Sequence, residues 1–284
     1  MYKQKIGISI GYHYAMPTPD VVKLLKKIGF DAISPEWRQG PELTEVMEAA
    51  RESGMIVESL HAPFWHAADL WSFDETVAGP AKMEILNALD DCKFWNVPIL
   101  VVHTWIGFEY AFDAAALCFK NFDEIVAKAE EYGITVAFEN VEGEEYLAAL
   151  MERYAAKDTV GFCWDSGHEM CYNRSQDLLA QYGHRLVMTH LNDNLGISRF
   201  DGTLFWKDDL HLLPYDGVAD WDYNVERLAK LRPLDVLNFE LTISSKPDRH
   251  ENDAYQQMSL EFFFTEAYKR ACRIAYRYAK AKRV

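Results

Sequence analysis

Short apolar runs and longer amphipathic segments alternate along the whole chain. The runs at residues 6–10, 30–35, 55–60, 97–102, 134–138, 160–164, 185–189 and 236–239 are rich in β-branched and aromatic side chains. They are continuous enough to be buried on both faces, which is the pattern of strands in a parallel sheet. Between them, apolar residues recur at helical spacing. This predicts helices from about Thr18 up to a stop at Gly29, and then over 41–53, 79–95, 113–132, 144–154 and 175–181. A further helix is expected to begin at Asp220, and a last one to cover 255–282. Pro19 and Asp20 suit a first helical turn, and Gly54 and Gly133 suit helix ends.

Eight strand and helix repeats within 284 residues predict a (β/α)8 TIM barrel, an α/β fold, as one domain over 1–284. The final helix would close the barrel. The connection 191–220 is too long for an ordinary turn and reads as a lid or binding loop.

In such a barrel the carboxyl ends of the strands converge on one mouth. Here those ends carry Glu36, His61, His103, Glu139, Asp165, His190 and Glu240. Buried strand ends ordinarily bear apolar or small residues, so this run of carboxylates and imidazoles points to a site. Glu139, Asp165, His190 and Glu240 form a mixed oxygen and nitrogen donor set that suits one divalent ion such as Mn²⁺, Co²⁺, Zn²⁺, Fe²⁺ or Mg²⁺. Glu36 reads as a hydroxyl acceptor at the rim. Trp37, Trp65 and Trp105 are candidate platforms for a sugar ring, with Trp71 and Trp206 as further aromatic neighbours.

Charge narrows the partner. With 29 Lys plus Arg against 44 Asp plus Glu the net charge is −15. A polynucleotide partner is therefore not expected, because phosphates call for a basic stripe. The five cysteines show no ligand-like spacing and read as reduced structural thiols. With no long apolar span and no targeting pattern at the start, no membrane partner is expected. The protein is taken as soluble and cytoplasmic, and open to homo-oligomer formation.

The runs VAFENVEG, GFCWDSGH, VMTHLNDN and LNFELT, in this order, resemble the xylose-isomerase-like TIM-barrel superfamily, in particular its sugar phosphate isomerase and epimerase branch. The resemblance covers nearly the whole chain. By likeness to the ketose 3-epimerases of that group, Glu139, Asp165, His190 and Glu240 would hold a single ion. Glu139 and Glu240 would act as the acid/base pair beside a carbonyl, and His168 would contact substrate. Those enzymes usually carry an arginine about six residues after the strand-seven histidine; position 196 is Gly here, and Arg199 is the nearest candidate for substrate binding.

A second branch, the endonuclease-IV-like enzymes, uses three zinc ions. Its additional ligands would map onto His61, His103, His168, Asp209 and His211, so up to three ions are considered. The acidic chain and the lack of DNA-wedging loops favour a small carbohydrate over DNA. The leading expectation is a metal-dependent sugar isomerase or epimerase. The alternatives are a multinuclear phosphodiesterase, a lyase or dehydratase on an oxo-sugar, and a non-catalytic carbohydrate-binding barrel.

Overall fold

A computed structural model of the protein describes residues 4–174 and 176–282. The first part of the chain forms β1 (Lys5–Ile10), α1 (Thr18–Ile28), β2 (Ala32–Pro35), α2 (Pro41–Ser53), β3 (Ile56–Val57), β4 (Ser59–His61), α3 (Glu75–Trp95), β5 (Ile99–His103) and α4 (Lys120–Tyr132). The second part forms β6 (Thr135–Glu139), α5 (Glu144–Arg153), β7 (Val160–Asp165), α6 (Ser166–Cys171), α7 (Leu178–Tyr182), β8 (Leu186–His190), α8 (Trp221–Ala229), β9 (Val236–Phe239), α9 (Asp253–Gln256) and α10 (Leu260–Ala281).

The strands pair in parallel as β3-β2-β1-β9 and β4-β5-β6-β7-β8. Two isolated parallel bridges, Glu36 to His61 and Leu191 to Phe239, join the two runs into a ring. Because β3 and β4 are pieces of one barrel strand interrupted at Glu58, the ring has the eight strand positions of a TIM barrel.

Alternation along each strand separates two cores. Leu100, Val102, Val136, Phe138, Phe162 and Trp164 join the large cluster that includes the helices. Val101, Ala137, Cys163 and Met188 form a separate inner cluster, all fully buried. Successive side chains on a strand face opposite ways, so the residue two further on returns to the barrel interior. Those next inner positions are His103, Glu139, Asp165 and His190. Pairing keeps them level, with His103 opposite Glu139 and Asp165 opposite His190. The other half of the interior is small and polar, with Ser9 accepting from Asn238 Nδ2 at 2.9 Å and Ser34 in contact with Ser59.

Several boundaries differ from the sequence reading. The helix expected from 79 starts at Glu75, because Asp74 caps it by accepting from Thr76 N at 2.9 Å and Pro80 is tolerated near its start. The helix expected over 113–132 begins only at Lys120, after a separate 3-10 turn at Ala114–Ala116. The helix expected over 175–181 is observed as α7; its anticipated first residue, Ser175, lies outside the described residues. The closing helix is two pieces, since Ser259 adopts an extended conformation and caps α10 by accepting from Phe262 N. Among the described residues no helix is long and apolar enough to cross a membrane.

Phe138 is completely buried and meets Phe122 and Tyr154 directly behind the site. Phe138→Ala is expected to lower the unfolding free energy by about 3–5 kcal/mol, and Phe138→Leu by clearly less. Urea denaturation with an unchanged slope checks this.

Candidate metal centre

Nine of the sequence-selected side chains meet at the carboxyl end of the barrel. Ligand atoms of Glu139, Asp165, His190 and Glu240 lie within 4.8 Å of one another, and the same holds for His61, His103 and Glu139, and for His168, Asp209 and His211. Glu139 belongs to two of these groups. Its Oε1 is 2.9 Å from His190 Nδ1 and 3.4 Å from His168 Nδ1, and its Oε2 is 3.3 Å from His61 Nε2 and 3.4 Å from His103 Nε2. Glu240 Oε2 is 3.3 Å from the same His190 nitrogen and 3.7 Å from His211 Nδ1. Asp209 Oδ1 lies 2.9 Å from His211 Nε2 and 3.6 Å from His168 Nε2.

These spacings test whether a cation fits. Donors bound at 2.0–2.1 Å stand about 3.3 Å apart around a tetrahedral ion and about 3.0 Å apart at an octahedral right angle. The separations around Glu139 and His190 fall in that range. Glu139 Oε2 and Asp209 Oδ1 are moreover buried without a hydrogen-bond partner. Converging lone pairs left unsatisfied in this way are what a site able to accept a cation offers.

Backbone and neighbouring side chains fix the donors. Asp165 caps α6, its Oδ1 accepting from His168 N at 2.7 Å, which sets His168 beside it. Asn192 Nδ2 donates to both Asp165 oxygens, at 3.2 and 3.0 Å. Asn140 bonds the Asp165 backbone through both ends of its amide. His61 Nδ1 meets Ala62 O at 2.8 Å and His168 Nδ1 meets Asn140 O at 2.9 Å, which orients both rings. Asp193 secures the base of the 191–220 connection, accepting from the backbone N–H of Asn194, Tyr215 and Ala219 and from the Trp221 indole.

Electrostatics ties protons to the same atoms. Burial pushes the Glu139 carboxyl up, but the His190 and His103 imidazoles override it and hold it well below the usual range. Glu240 is likewise opposed by burial and drawn down by His190 and His211 to about 2. Asp165 is pushed up to about 6 by burial. Burial alone would lower the histidines, and it does lower His103. His211, beside Asp209, instead rises to about 9; His168 rises well above its ordinary value through Asp165 and Asp209, and His190 through Cys163, Glu139 and Glu240.

The substrate-binding candidates divide. Glu36 stays at the rim, its Oε2 3.9 Å from Arg38, and Trp65 is exposed beside Phe64, whose ring stacks on His103. Trp105 is held as a stack on Tyr146 at 4.0 Å and donates to Gly107 O. Trp37 is not at the mouth. Glu36 faces inward and the pleat turns Trp37 outward, where its indole donates to Asp91 of α3 at 2.7 Å. Nor does Arg199 reach the ligands, for its guanidinium sits 3.8 Å over the Phe205 ring. Residues missed in the sequence include Asn192, Asn140 and Lys246, the last with Nζ 3.2 Å from Asp209 Oδ2. For Asn192 a signal existed, since it follows His190 by two.

A model of the family described as xylose isomerase-like TIM barrel matches residues 22–263. Among solved structures, L-ribulose 3-epimerase is similar with a TM-score of 0.73 at 14% identity, covering 98% of this chain and 96% of that one. The IOLI protein, solved with a binding zinc atom, is similar with a TM-score of 0.71 at 19% identity, covering 95% and 98%. At such identities the likeness is one of fold. In sequence, 129 residues are 38% identical to the uncharacterized protein y4fM of Sinorhizobium fredii (strain NBRC 101917 / NGR234), a match over 43% of this chain and 38% of that relative. The chain thus matches well under half the length of this curated relative.

Protons and a divalent ion compete for the same imidazole nitrogens, so the raised His168, His190 and His211 values set the sign of the pH dependence. Zinc affinity is expected to increase as pH rises from 6 to 9 and these rings lose protons. Calorimetry in buffers of different ionisation enthalpy should register proton release on binding at pH 7; proton-neutral binding would contradict this.

A Cβ at Gly167 would lie 1.9 Å from Asn192 Oδ1. Gly167→Ala is therefore expected to displace Asn192 from Asp165 and weaken zinc binding about 10–100-fold, read by chelator competition.

Proposed function

Because the chain belongs to the xylose isomerase-like TIM-barrel family, we propose that it is a divalent-metal-dependent isomerase or epimerase of a small sugar, sugar phosphate or related polyol. The observation that carries this reading is the placement of two glutamates, Glu139 and Glu240, at 2.9 and 3.3 Å from one atom, His190 Nδ1. Two carboxylates on one cavity are what proton transfer at a carbon beside a carbonyl requires: one takes the proton and the other returns it. Both are held ionised by neighbouring imidazoles, and an ionised carboxylate is the form a base needs.

Glu139, Asp165, His190 and Glu240 would hold the ion. Bound there, it would polarise the carbonyl and stabilise the oxyanion that develops as the proton leaves. Glu240, partly exposed and reached from the mouth, is the better placed base; Glu139, fully buried and ionised at rest, would return a proton only after taking one from a neighbouring imidazole or water, His190 Nδ1 being 2.9 Å away. His168, aimed at the Asp209 side, would hold a substrate hydroxyl, and Glu36 would accept another at the rim. The whole chain is read as one catalytic domain, with the 191–220 connection as the lid that excludes water.

A second reading has its own support. The three donor groups together use nine side chains, more than one ion needs. That inventory suits a multinuclear zinc phosphodiesterase, while the net charge of −15 speaks against DNA as its substrate. A lyase or dehydratase would begin from the same proton abstraction, and a binding-only barrel would show no turnover.

Metal analysis of the purified protein, followed by deuterium exchange at carbon with a panel of ketoses, tests the proposal. Glu139→Gln and Glu240→Gln should each lower exchange by about 10²–10⁴-fold, and Asp209→Asn should lower it far less. Phosphodiester cleavage requiring Asp209 and His211, with no carbon exchange, would establish the second reading instead.

A further inference from the structure

Two loops at the mouth are tied by three consecutive ion pairs. Lys207 Nζ is 2.8 Å from Asp248 Oδ2, Asp208 Oδ1 is 2.9 Å from Arg249 Nη1, and Asp209 Oδ2 is 3.2 Å from Lys246 Nζ. The first two join the loops without touching any of the nine donors. The third is different, because it ends on a candidate ligand: among the described residues Lys246 is the only lysine or arginine within ion-pair distance of any of the nine donors. An ammonium carries three N–H donors, and the hydrogen bond of this one goes to Asp209 Oδ2. Its side chain remains one-quarter exposed. The half-exposed Trp206 ring stands 5.7 Å away, an aromatic wall beside the charge.

We propose that Lys246 is the anion seat of the site, and that the substrate carries an anionic head group, a phosphate ester or a carboxylate, bound by the Lys246 ammonium beside Trp206. This deepens the isomerase reading and rests on it for the position of the reacting carbon. An anion approaching this mouth meets Glu36, Glu139, Asp165, Asp209 and Glu240, so a fixed cation is needed to receive it. Lys246 lies six residues after Glu240, on a different loop from Arg199.

The metal-loaded full-length protein should be titrated calorimetrically with inorganic phosphate, acetate and the neutral polyol glycerol, alongside Lys246→Met and Lys246→Arg. Lys246→Met is expected to weaken phosphate or acetate binding by about tenfold or more, with metal content and glycerol binding unchanged, and Lys246→Arg should retain most of the affinity. Preference for phosphate would indicate a phosphorylated sugar, and preference for acetate a sugar acid. Unchanged anion affinity in Lys246→Met overturns the proposal. Loss of metal in that variant also overturns it, by making the lysine a support for Asp209. Carbon deuterium exchange is scored separately: its absence with the anion effect intact removes the isomerase reading and leaves the seat standing.

Discussion

Taking Glu139, Asp165 and His190 entirely out of water is the constraint on which the mouth of this barrel depends. A buried carboxylate without compensation is costly by several kcal/mol, and here carboxylates are packed within a few ångströms. Compensation comes from imidazoles placed between them, so that each oxygen of Glu139 faces two ring nitrogens. The same arrangement makes the cluster receptive to cations, since a divalent ion places two positive charges at one point that several of these donors reach together. Burial of the carboxylates and the clustering of cation-compatible donors thus have one origin.

The barrel makes that cluster affordable in geometry. Val101, Ala137, Cys163 and Met188 fill the interior one layer below, and the pleat then delivers a polar residue at the next inward step of four adjacent strands. Phe138 and Trp164, pointing the other way from the same strands, anchor them against the helices. Apolar packing outside and charge inside are therefore set by the same two-residue period.

This is why the strand ends were legible in the sequence. A continuous apolar run followed by Glu139, Asp165 or His190 names both the strand and its side of the pleat, and the fold class follows from eight such runs. Legibility stopped where that period stops. Trp37 lies one residue past Glu36 and so faces the helices. The short helix at Ser166–Cys171 has no apolar period of its own to mark it, since it starts directly on Asp165, which ends the strand and also serves as the helix cap. Lys246 and Arg199 sit in loops whose paths no periodicity encodes; one reaches Asp209, and the other rests on Phe205.

Asp193 gathers four N–H groups from the two ends of the 191–220 connection, and Gly217 packs against it so closely that a Cβ would fall 2.3 Å from its carboxylate. The connection is consequently pinched at its neck, while Leu195, Ile197 and Phe200 stand exposed along its far arc. Such an arrangement is modular. The arc can be rewritten, lengthened or reshaped to admit a different molecule, and the stem beneath will go on presenting His190 at the same height.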